Sequence, residues 1–407
     1  MKHFYTALWL CLTVLGLCFF TDADAQVRNK KTSVRKTTTT QRKTSTVKPK
    51  TSSSQKATPQ FAFYGKLGAH HMYVGDSLIF YVEENHNNAV MAIDRKTGEK
   101  SVIIPGIDGV YEGARKQVIK KFLISGGRQF LVLKDGYSDD DGVYLYEGSV
   151  KQARLLENSM WLLASSDKYL FVKSSNRING KFSCELWDTE KLKVVQQWPV
   201  SFPVEPTAKI ANDGSVWIWE SEFDNNSQKM VFGVRKLGID GKITFNKLSD
   251  QPYIVENDIN EGKKDLYLMG DYLYNRCHRR IYRINTTDPN AKWEEYARIP
   301  PTQNSEFVWY CIDSEGNMLT CGSSDVRADY RCQYWTAGNY DSPKPLGTEV
   351  TTGINDYGYR SIDPKSYSRQ VDADGNFILL YFDGSELCIY NPNGVVGYTK
   401  ARGTVIK

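Results

Sequence analysis

The sequence predicts an all-β fold in which one four-stranded antiparallel unit recurs about seven times. From residue 61 onward, short runs rich in Val, Ile, Phe, Tyr and Trp are separated by Gly, Asn and Asp, which is typical of strands joined by turns. The 3.6-residue apolar periodicity of helices is scarce in the same region. A similar unit also returns at a regular spacing, which indicates a repeat architecture.

The unit is clearest near residue 371. A strand ends at Val371, and the turn DADG follows it. Further strands are predicted for NFILLYF (376–382), ELCIYN (386–391) and VVGYTK (395–400), with tight links between them. Four antiparallel strands joined by three short links are the content of one blade of a β-propeller.

The period of the repeat is about 50 residues. The first turns of successive units lie at Gly75, Gly127, Ser166, Gly214, Gly270, Gly316 and Gly375, a mean spacing of 50 residues. Seven units nearly fill residues 61–407, so we predict a single β-propeller of seven four-stranded antiparallel blades there. The sequence leaves open whether FAFYGK (61–66) adds to the last blade beside VVGYTK and closes the ring, which would protect an exposed sheet edge.

Short motifs in these units resemble known propeller repeats. The segment AIDRKTGEK (92–100) resembles the strand-turn-strand of PQQ-type repeats. DADGNF (372–377) and DSEGNM (313–318) are similar to the inner hairpins of NHL-type repeats. The resemblance covers nearly all of residues 61–407 and implies the propeller fold, but it does not imply an activity.

The turn after Val371 also has oxygen ligands at a spacing that could hold calcium, in Asp372, Asp374 and Asn376. A helix-loop-helix calcium loop needs Gly at its sixth position, which here is Phe377, and it needs helical flanks. Comparable Gly-containing turns occur at the same place in other units. The sequence therefore favours an architectural turn, and we predict neither a metal site nor a cofactor.

The first 25 residues are predicted to be a cleaved signal peptide. Phe4 to Phe20 is almost wholly apolar, and Ala23-Asp24-Ala25 offers small residues at the positions that a signal peptidase reads. The alternative is a retained membrane anchor, because the basic residues that follow favour retention. Cleavage predicts a secreted, periplasmic or cell-surface protein with no transmembrane span in its mature form.

Residues 26–60 form a basic segment with a different composition. They contain ten Lys or Arg, fourteen Ser or Thr and no Asp or Glu, so we expect a disordered linker. The chain carries +5 in total, residues 26–60 contribute +10 and residues 1–25 contribute −1, so residues 61–407 carry about −4. The linker is interpreted as a solvated spacer or as an electrostatic tether to an anionic cell surface. Nucleic acid is not an expected partner of an exported protein with a mildly acidic globule.

Cysteine usage is compatible with an exported protein. Six cysteines remain after residue 25, an even number that permits disulfides. Cys311 and Cys321 flank the predicted turn at Gly316, which suggests a cross-strand disulfide between them. Cys332 on the third strand of the same blade is a competing partner.

Blade topology assigns the links to two faces of the ring. Links between first and second and between third and fourth strands lie on one face and are short. The other face, called here the loop-rich face, carries the second-to-third links and the connections between blades. The long polar segments predicted for this loop-rich face are 83–88, 134–142, 173–180, 221–228 and 322–330, together with the connections 105–117, 249–264 and 347–367.

Long loops on a rigid scaffold are where binding sites usually lie. The candidate ligand-binding residues on the loop-rich face are carboxylates, arginines, tyrosines and a histidine, which suit a carbohydrate or a peptide: Glu83, Glu84, His86, Tyr111, Glu112, Arg115, Asp258, Glu261, Asp356, Tyr357, Tyr359 and Arg360. For any one of them the alternative is ordinary solvated loop chemistry.

The sequence favours a binding module over an enzyme. It contains no Gly-x-Ser-x-Gly elbow, no HExxH and no phosphate-binding Gly loop, so no catalytic residue is assigned. We predict an exported propeller that recognises a glycan or protein ligand on its loop-rich face. The alternative is a propeller enzyme, a carbohydrate lyase, hydrolase or lactonase with a metal in the central channel.

Overall fold

The structure, a computed structural model, describes seven four-stranded sheets and most of the turns within them. The residues described are 60–64, 69–83, 86–106, 117–135, 141–199, 208–225, 228–248, 266–277, 279–298, 305–324, 327–345, 368–380 and 387–391.

Each sheet is an antiparallel blade, and in the first six blades the four strands lie side by side in chain order. Blade one consists of β2 (Ala69–Val74), β3 (Leu78–Glu83), β4 (Ala89–Asp94) and β5 (Lys100–Ile104). Blade two consists of β6 (Gln117–Ser125), β7 (Arg128–Asp135), β8 (Asp141–Leu145) and β9 (Arg154–Leu155). Blade three consists of β10 (Ser159–Ser165), β11 (Tyr169–Ile178), β12 (Lys181–Asp188) and β13 (Lys193–Pro199). A one-turn 3-10 helix, Val150–Gln152, lies between β8 and β9.

Blades four to six repeat the same arrangement. Blade four consists of β14 (Ala208–Ile210), β15 (Val216–Asp224), β16 (Lys229–Leu237) and β17 (Ile243–Lys247). Blade five consists of β18 (Tyr267–Met269), β19 (Tyr272–Cys277), β20 (Arg280–Asn285) and β21 (Glu294–Arg298). Blade six consists of β22 (Ser305–Ile312), β23 (Met318–Ser324), β24 (Arg327–Thr336) and β25 (Asn339–Pro345). The prediction of an all-β propeller with seven four-stranded antiparallel blades is confirmed.

Blade seven is completed by the start of the described chain. Its inner strands are β26 (Ser368–Val371), β27 (Phe377–Leu380) and β28 (Leu387–Asn391), and its fourth strand is β1 (Gln60–Tyr64). β1 pairs antiparallel with β28 over five residue pairs, from Gln60 opposite Asn391 to Tyr64 opposite Leu387. The sequence predicted VVGYTK (395–400) for this place. β1 occupies it instead, and 395–400 lie outside the described residues.

Buried apolar clusters join consecutive blades around the whole ring. One cluster combines Met72 and Ile79 of blade one with Ile378 and Ile389 of blade seven. Four more link blades one to two, two to three, three to four and four to five, and a sixth spans blades five, six and seven. Because each fully buried aliphatic side chain contributes about 1.5–3 kcal/mol, these junctions hold the blades in a closed ring.

The turn after Val371 is organised by the carboxylate of Asp372. Its Oδ1 accepts hydrogen bonds from the backbone N–H groups of Asp374 (2.9 Å) and Asn376 (2.8 Å), and its Oδ2 accepts one from Asn376 Nδ2 (2.7 Å). Gly375 has φ = 77°, a left-handed conformation that favours glycine. The predicted architectural turn is confirmed, and the oxygens of Asp372 are used by N–H donors.

Asp372 also joins blade seven to blade one. The Nη2 of Arg95 donates to Asp372 Oδ2, and both side chains are buried. The Nη1 of the same guanidinium donates to the carbonyl oxygens of Asp76 (2.8 Å) and Gly75 (3.2 Å). One arginine therefore ties the third-to-fourth link of blade one to the first turns of blades one and seven.

Two of the predicted long links on the loop-rich face are extended hairpins instead of irregular loops. β11 and β12 remain paired as far as Ile178 and Lys181, and Asn179 and Gly180 form the tight turn with φ of 52° and 79°. β15 and β16 pair over nine residues up to Asp224 opposite Lys229. The polar composition of 173–180 and 221–228 predicts loops, but strand pairing extends to Ile178 opposite Lys181 in the first segment and to Asp224 opposite Lys229 in the second.

The cysteine prediction needs a correction. Cys311 is buried and carries a thiol, which donates to the hydroxyl oxygen of Tyr267 at 3.2 Å. In the strand register Cys311 lies opposite Leu319, and Cys321 lies opposite Cys332. The predicted bridge between Cys311 and Cys321 is therefore wrong, because the pairing of β22 with β23 places these two residues diagonally and not opposite each other.

Among the residues that the structure describes, no helix has the length and apolar character needed to span a membrane.

Candidate functional site

The loop-rich face carries two predicted residues that the structure brings into contact. Glu83 is the last residue of β3, and His86 follows in the link to β4. The Nδ1 of His86 lies 2.7 Å from Oε2 of Glu83, whose side chain is almost buried while that of His86 is exposed. The pair fixes a carboxylate at the rim of blade one and presents an imidazole to solvent.

The other ten predicted residues lie outside the described residues and remain predictions: Glu84, Tyr111, Glu112, Arg115, Asp258, Glu261, Asp356, Tyr357, Tyr359 and Arg360.

A second group on the loop-rich face was not predicted. It is called here the blade-three patch and consists of Trp161, Lys173, Arg177 and Phe182. The Lys173 ammonium lies over the rings of Trp161 (4.0 Å to the centroid) and Phe182 (4.9 Å), and the Arg177 guanidinium lies over Phe182 (4.6 Å). Both rings are partly exposed. The patch therefore combines flat apolar surfaces with cationic groups.

Strand register explains how the blade-three patch assembles. Trp161 of β10 lies opposite Lys173 of β11, and Arg177 of β11 lies opposite Phe182 of β12. β10 and β13 end their pairing near Ser174 and Ser183, so the hairpin 175–182 projects beyond them on the loop-rich face. Three strands thus contribute to one surface at the base of a projecting hairpin.

A buried carboxylate supports the same hairpin from within. Glu185 is fully buried, and its Oε1 accepts hydrogen bonds from Asn176 Nδ2 (3.0 Å) and Gln197 Nε2 (3.2 Å). Its Oε2 accepts one from the indole N–H of Trp187 at 3.0 Å. These bonds tie β11, β12 and β13 together below the projecting turn, so the patch is held on a rigid base.

The face opposite the loop-rich face has a tyrosine cluster between blades five and six. The Tyr296 hydroxyl donates to the carbonyl oxygen of Gly316 (2.7 Å) and accepts from the Tyr340 hydroxyl (2.5 Å). Arg283 lies 4.8 Å from the centre of the Tyr296 ring and donates to Glu294 at 2.5 Å. Burial raises the pKa of Tyr296, which therefore stays a neutral phenol. These polar groups are used inside the cluster, so we assign it a structural role.

Sequence reasoning missed the blade-three patch because its aromatic and basic members come from separate strands. A signal was present in KSSNRINGKFSC (173–184), which contains three cations and no carboxylate. The rest of the signal, Trp161, lies twelve residues before Lys173 and becomes its neighbour only through the β10–β11 register.

No protein-family model matches the chain, and no curated protein matches it. Solved structures match it at low identity. KlAtg21 in complex with the coiled-coil of AgAtg16 is 9% identical, with 79% of this chain and 92% of that chain covered and a TM-score of 0.50. The oligogalacturonate lyase of Vibrio parahaemolyticus is 13% identical, covering 81% and 91%, with a TM-score of 0.47. The WD40 β-propeller domain of Doa1 is 11% identical, covering 81% and 97%, with a TM-score of 0.42. These likenesses concern the fold alone.

Proposed function

We propose that the chain is an exported binding module that recognises a glycan or protein ligand through the loop-rich face of its propeller. The observation that carries this proposal is the blade-three patch. Partly exposed aromatic rings with a few fixed polar groups are typical of ligand sites, and a rigid hairpin base limits the entropy lost when a ligand binds. The Glu83–His86 pair adds polar groups on the same face from blade one.

The remaining predicted residues complete the proposed face. Tyr111, Glu112 and Arg115 belong to the connection between blades one and two, and Asp356 to Arg360 to that between blades six and seven. Both connections are on the loop-rich face by topology. Export follows from the predicted signal peptide, and residues 26–60 serve as a spacer or as a tether to an anionic cell surface.

Substitution of Phe182 by Ala tests the proposed face. We expect the mature chain, residues 26–407, to bind a subset of an array of soluble glycans. F182A should weaken that binding at least tenfold, about 1.4 kcal/mol, because an aromatic contact surface is lost. Isothermal titration calorimetry on the glycans that bind gives the dissociation constants.

The matched control is Ile239→Ala. Ile239 is an exposed apolar side chain in the third-to-fourth link of blade four, on the face opposite the loop-rich face. I239A should bind like the unaltered protein. Equal losses in F182A and I239A, or binding unaffected by F182A, would place the site elsewhere. A stoichiometric divalent ion in purified protein, measured by plasma mass spectrometry, would favour the metal-dependent enzyme instead.

A further inference from the structure

The projecting hairpin of blade three is locally basic on an otherwise mildly acidic globule. Residues 173–184 contain Lys173, Arg177 and Lys181 and no Asp or Glu, whereas residues 61–407 carry about −4. The second-to-third links EENHNN (83–88) and SEFDNNSQ (221–228) carry carboxylates in their sequences, whereas the blade-five segment CHRR (277–280) is basic and carries none. Blade three is therefore one of the blades whose second-to-third link is basic on the loop-rich face.

The cations of the blade-three patch also differ from other basic residues in their partners. Arg235 pairs with Glu220, Arg280 with Glu295 (3.0 Å) and Lys191 with Asp188 (3.3 Å). Within the described parts of the chain, no carboxylate forms an ion pair with the cations of the blade-three patch.

The partners that these cations do have are neutral. Lys173 lies over two aromatic rings, and Arg177 lies over one ring and donates to the carbonyl oxygen of Gly180 at 3.3 Å. Such contacts orient a cation without neutralising it. The positive charge at the blade-three patch is therefore positioned and still available to a ligand.

We propose that the blade-three patch binds a carboxylate-bearing saccharide, with uronate groups contacting Lys173 and Arg177 and sugar rings lying against Trp161 and Phe182. This inference rests on the proposed function and names its ligand class. Charge-assisted hydrogen bonds to carboxylates are stronger than neutral ones, and the two rings supply the apolar surface that sugar C–H faces need.

The surface fits a saccharide better than an acidic peptide. Peptides are commonly recognised by addition to a free sheet edge or by insertion into a groove. The patch lies on β10, β11 and β12. At Lys173 strand β11 is paired on both sides, and only the short hairpin 175–182 has unpaired outer edges. The outer edge of this blade is β13, which contributes no residue to the patch.

The test uses pairs of probes that differ only in charge. Alginate, pectate and hyaluronan oligosaccharides are each compared with their carboxyl-reduced neutral forms by calorimetry on the mature chain and on its patch variants, because the basic residues 26–60 also attract acidic saccharides. We expect at least one acidic form to bind at least tenfold more tightly than its neutral form. The difference should shrink as salt rises from 50 to 200 mM, because the interaction is screened.

Variants assign the effect to named side chains. The double variant Lys173→Gln/Arg177→Gln removes the two cations that lie over the aromatic rings, and we expect it to weaken acidic oligosaccharide binding at least tenfold. The control is Lys242→Gln, an exposed lysine on the opposite face that lies 3.2 Å from Asp240. K242Q should bind like the unaltered protein, and circular dichroism should show all of these variants folded.

The outcomes separate the two proposals. Neutral and acidic forms that bind equally, with no effect of the double variant, would overturn the acidic class and leave the binding module standing. Tighter binding of poly-glutamate than of any uronate would replace the saccharide with an acidic peptide. Absence of binding to all acidic and neutral saccharides and peptides would overturn the proposed function as well.

Discussion

A chain that starts at Gly65 should be about 3–5 kcal/mol less stable than one that starts at Ala57. Both lack the basic linker, but only the shorter chain lacks β1, the outer strand of blade seven. β1 pairs with β28 over five residue pairs. A backbone hydrogen bond contributes about 0.5–1.5 kcal/mol net, so losing a whole strand ladder amounts to several kcal/mol. Urea denaturation followed by tryptophan fluorescence measures the difference.

The shorter chain should also gain a vacant sheet edge at β28, where another strand can pair. A synthetic peptide of residues 57–66 added in trans should therefore restore the unfolding midpoint, since added strands bind sheet edges and a ligand of the native state stabilises it. A scrambled peptide of the same composition is the control. Equal midpoints for the two truncated chains would show that β1 does not close the ring.

The fold could be predicted from the sequence because the same four-stranded unit recurs, and each copy gives separate evidence for it. Seven first turns at a mean spacing of 50 residues, each with a residue suited to a turn, indicate the blade number even where single strands are ambiguous. The strand that closes the ring could not be assigned the same way. VVGYTK and FAFYGK are both apolar and β-forming, and the choice between them depends on pairing with a partner over 300 residues away in sequence.

The candidate site was predictable only in part. The loop-rich face could be predicted from the blade topology. Glu83 and His86 belong to the same link, so their proximity could also be predicted from the sequence. Predicting the blade-three patch requires the register of three strands, which a polar sequence such as KSSNRING does not indicate. Cys311 shows the same limit, because counting residues about Gly316 does not give the register set at the turn, where Ile312 pairs with Met318 and Cys311 therefore with Leu319.

The substitution Asp372→Asn should destabilise the propeller by about 3–5 kcal/mol, the range for breaking a buried ion pair by removing one partner. Asn keeps the size of the side chain and an acceptor for the two backbone N–H groups of the turn. Its amide NH2 group replaces the Oδ2 that accepts from Arg95 and Asn376 Nδ2, so the buried Arg95 guanidinium loses both its acceptor and its counter-charge. The nearby Asp374 carboxylate is 3.6 Å from Arg95 but largely exposed, so solvent screens it. Chemical denaturation at neutral pH gives the free energy of unfolding.

Asp313→Asn is the matched control, because Asp313 organises the same kind of turn in blade six. It accepts hydrogen bonds from the backbone N–H groups of Glu315 (3.0 Å) and Asn317 (2.8 Å), and burial raises its pKa. D313N also replaces the Oδ2 that accepts from Asn317 Nδ2, as D372N does in its own turn, but within the described residues no ion pair to Asp313 is lost, so it should be less destabilising than D372N. If D313N and D372N are equally destabilising, the effect belongs to the turn and not to the ion pair.

A double-mutant cycle then isolates the contact between blades. Arg95→Met removes the guanidinium and leaves Asp372 with the N–H donors of its own turn, so it should be less harmful than D372N. The double variant Arg95→Met/Asp372→Asn carries no uncompensated charge at this junction and should recover part of the stability lost in D372N. Additive losses would contradict the coupling. A recovery of about 2 kcal/mol would assign the coupling energy to the Arg95–Asp372 pair. This pair joins blade one to blade seven at the same junction that β1 closes.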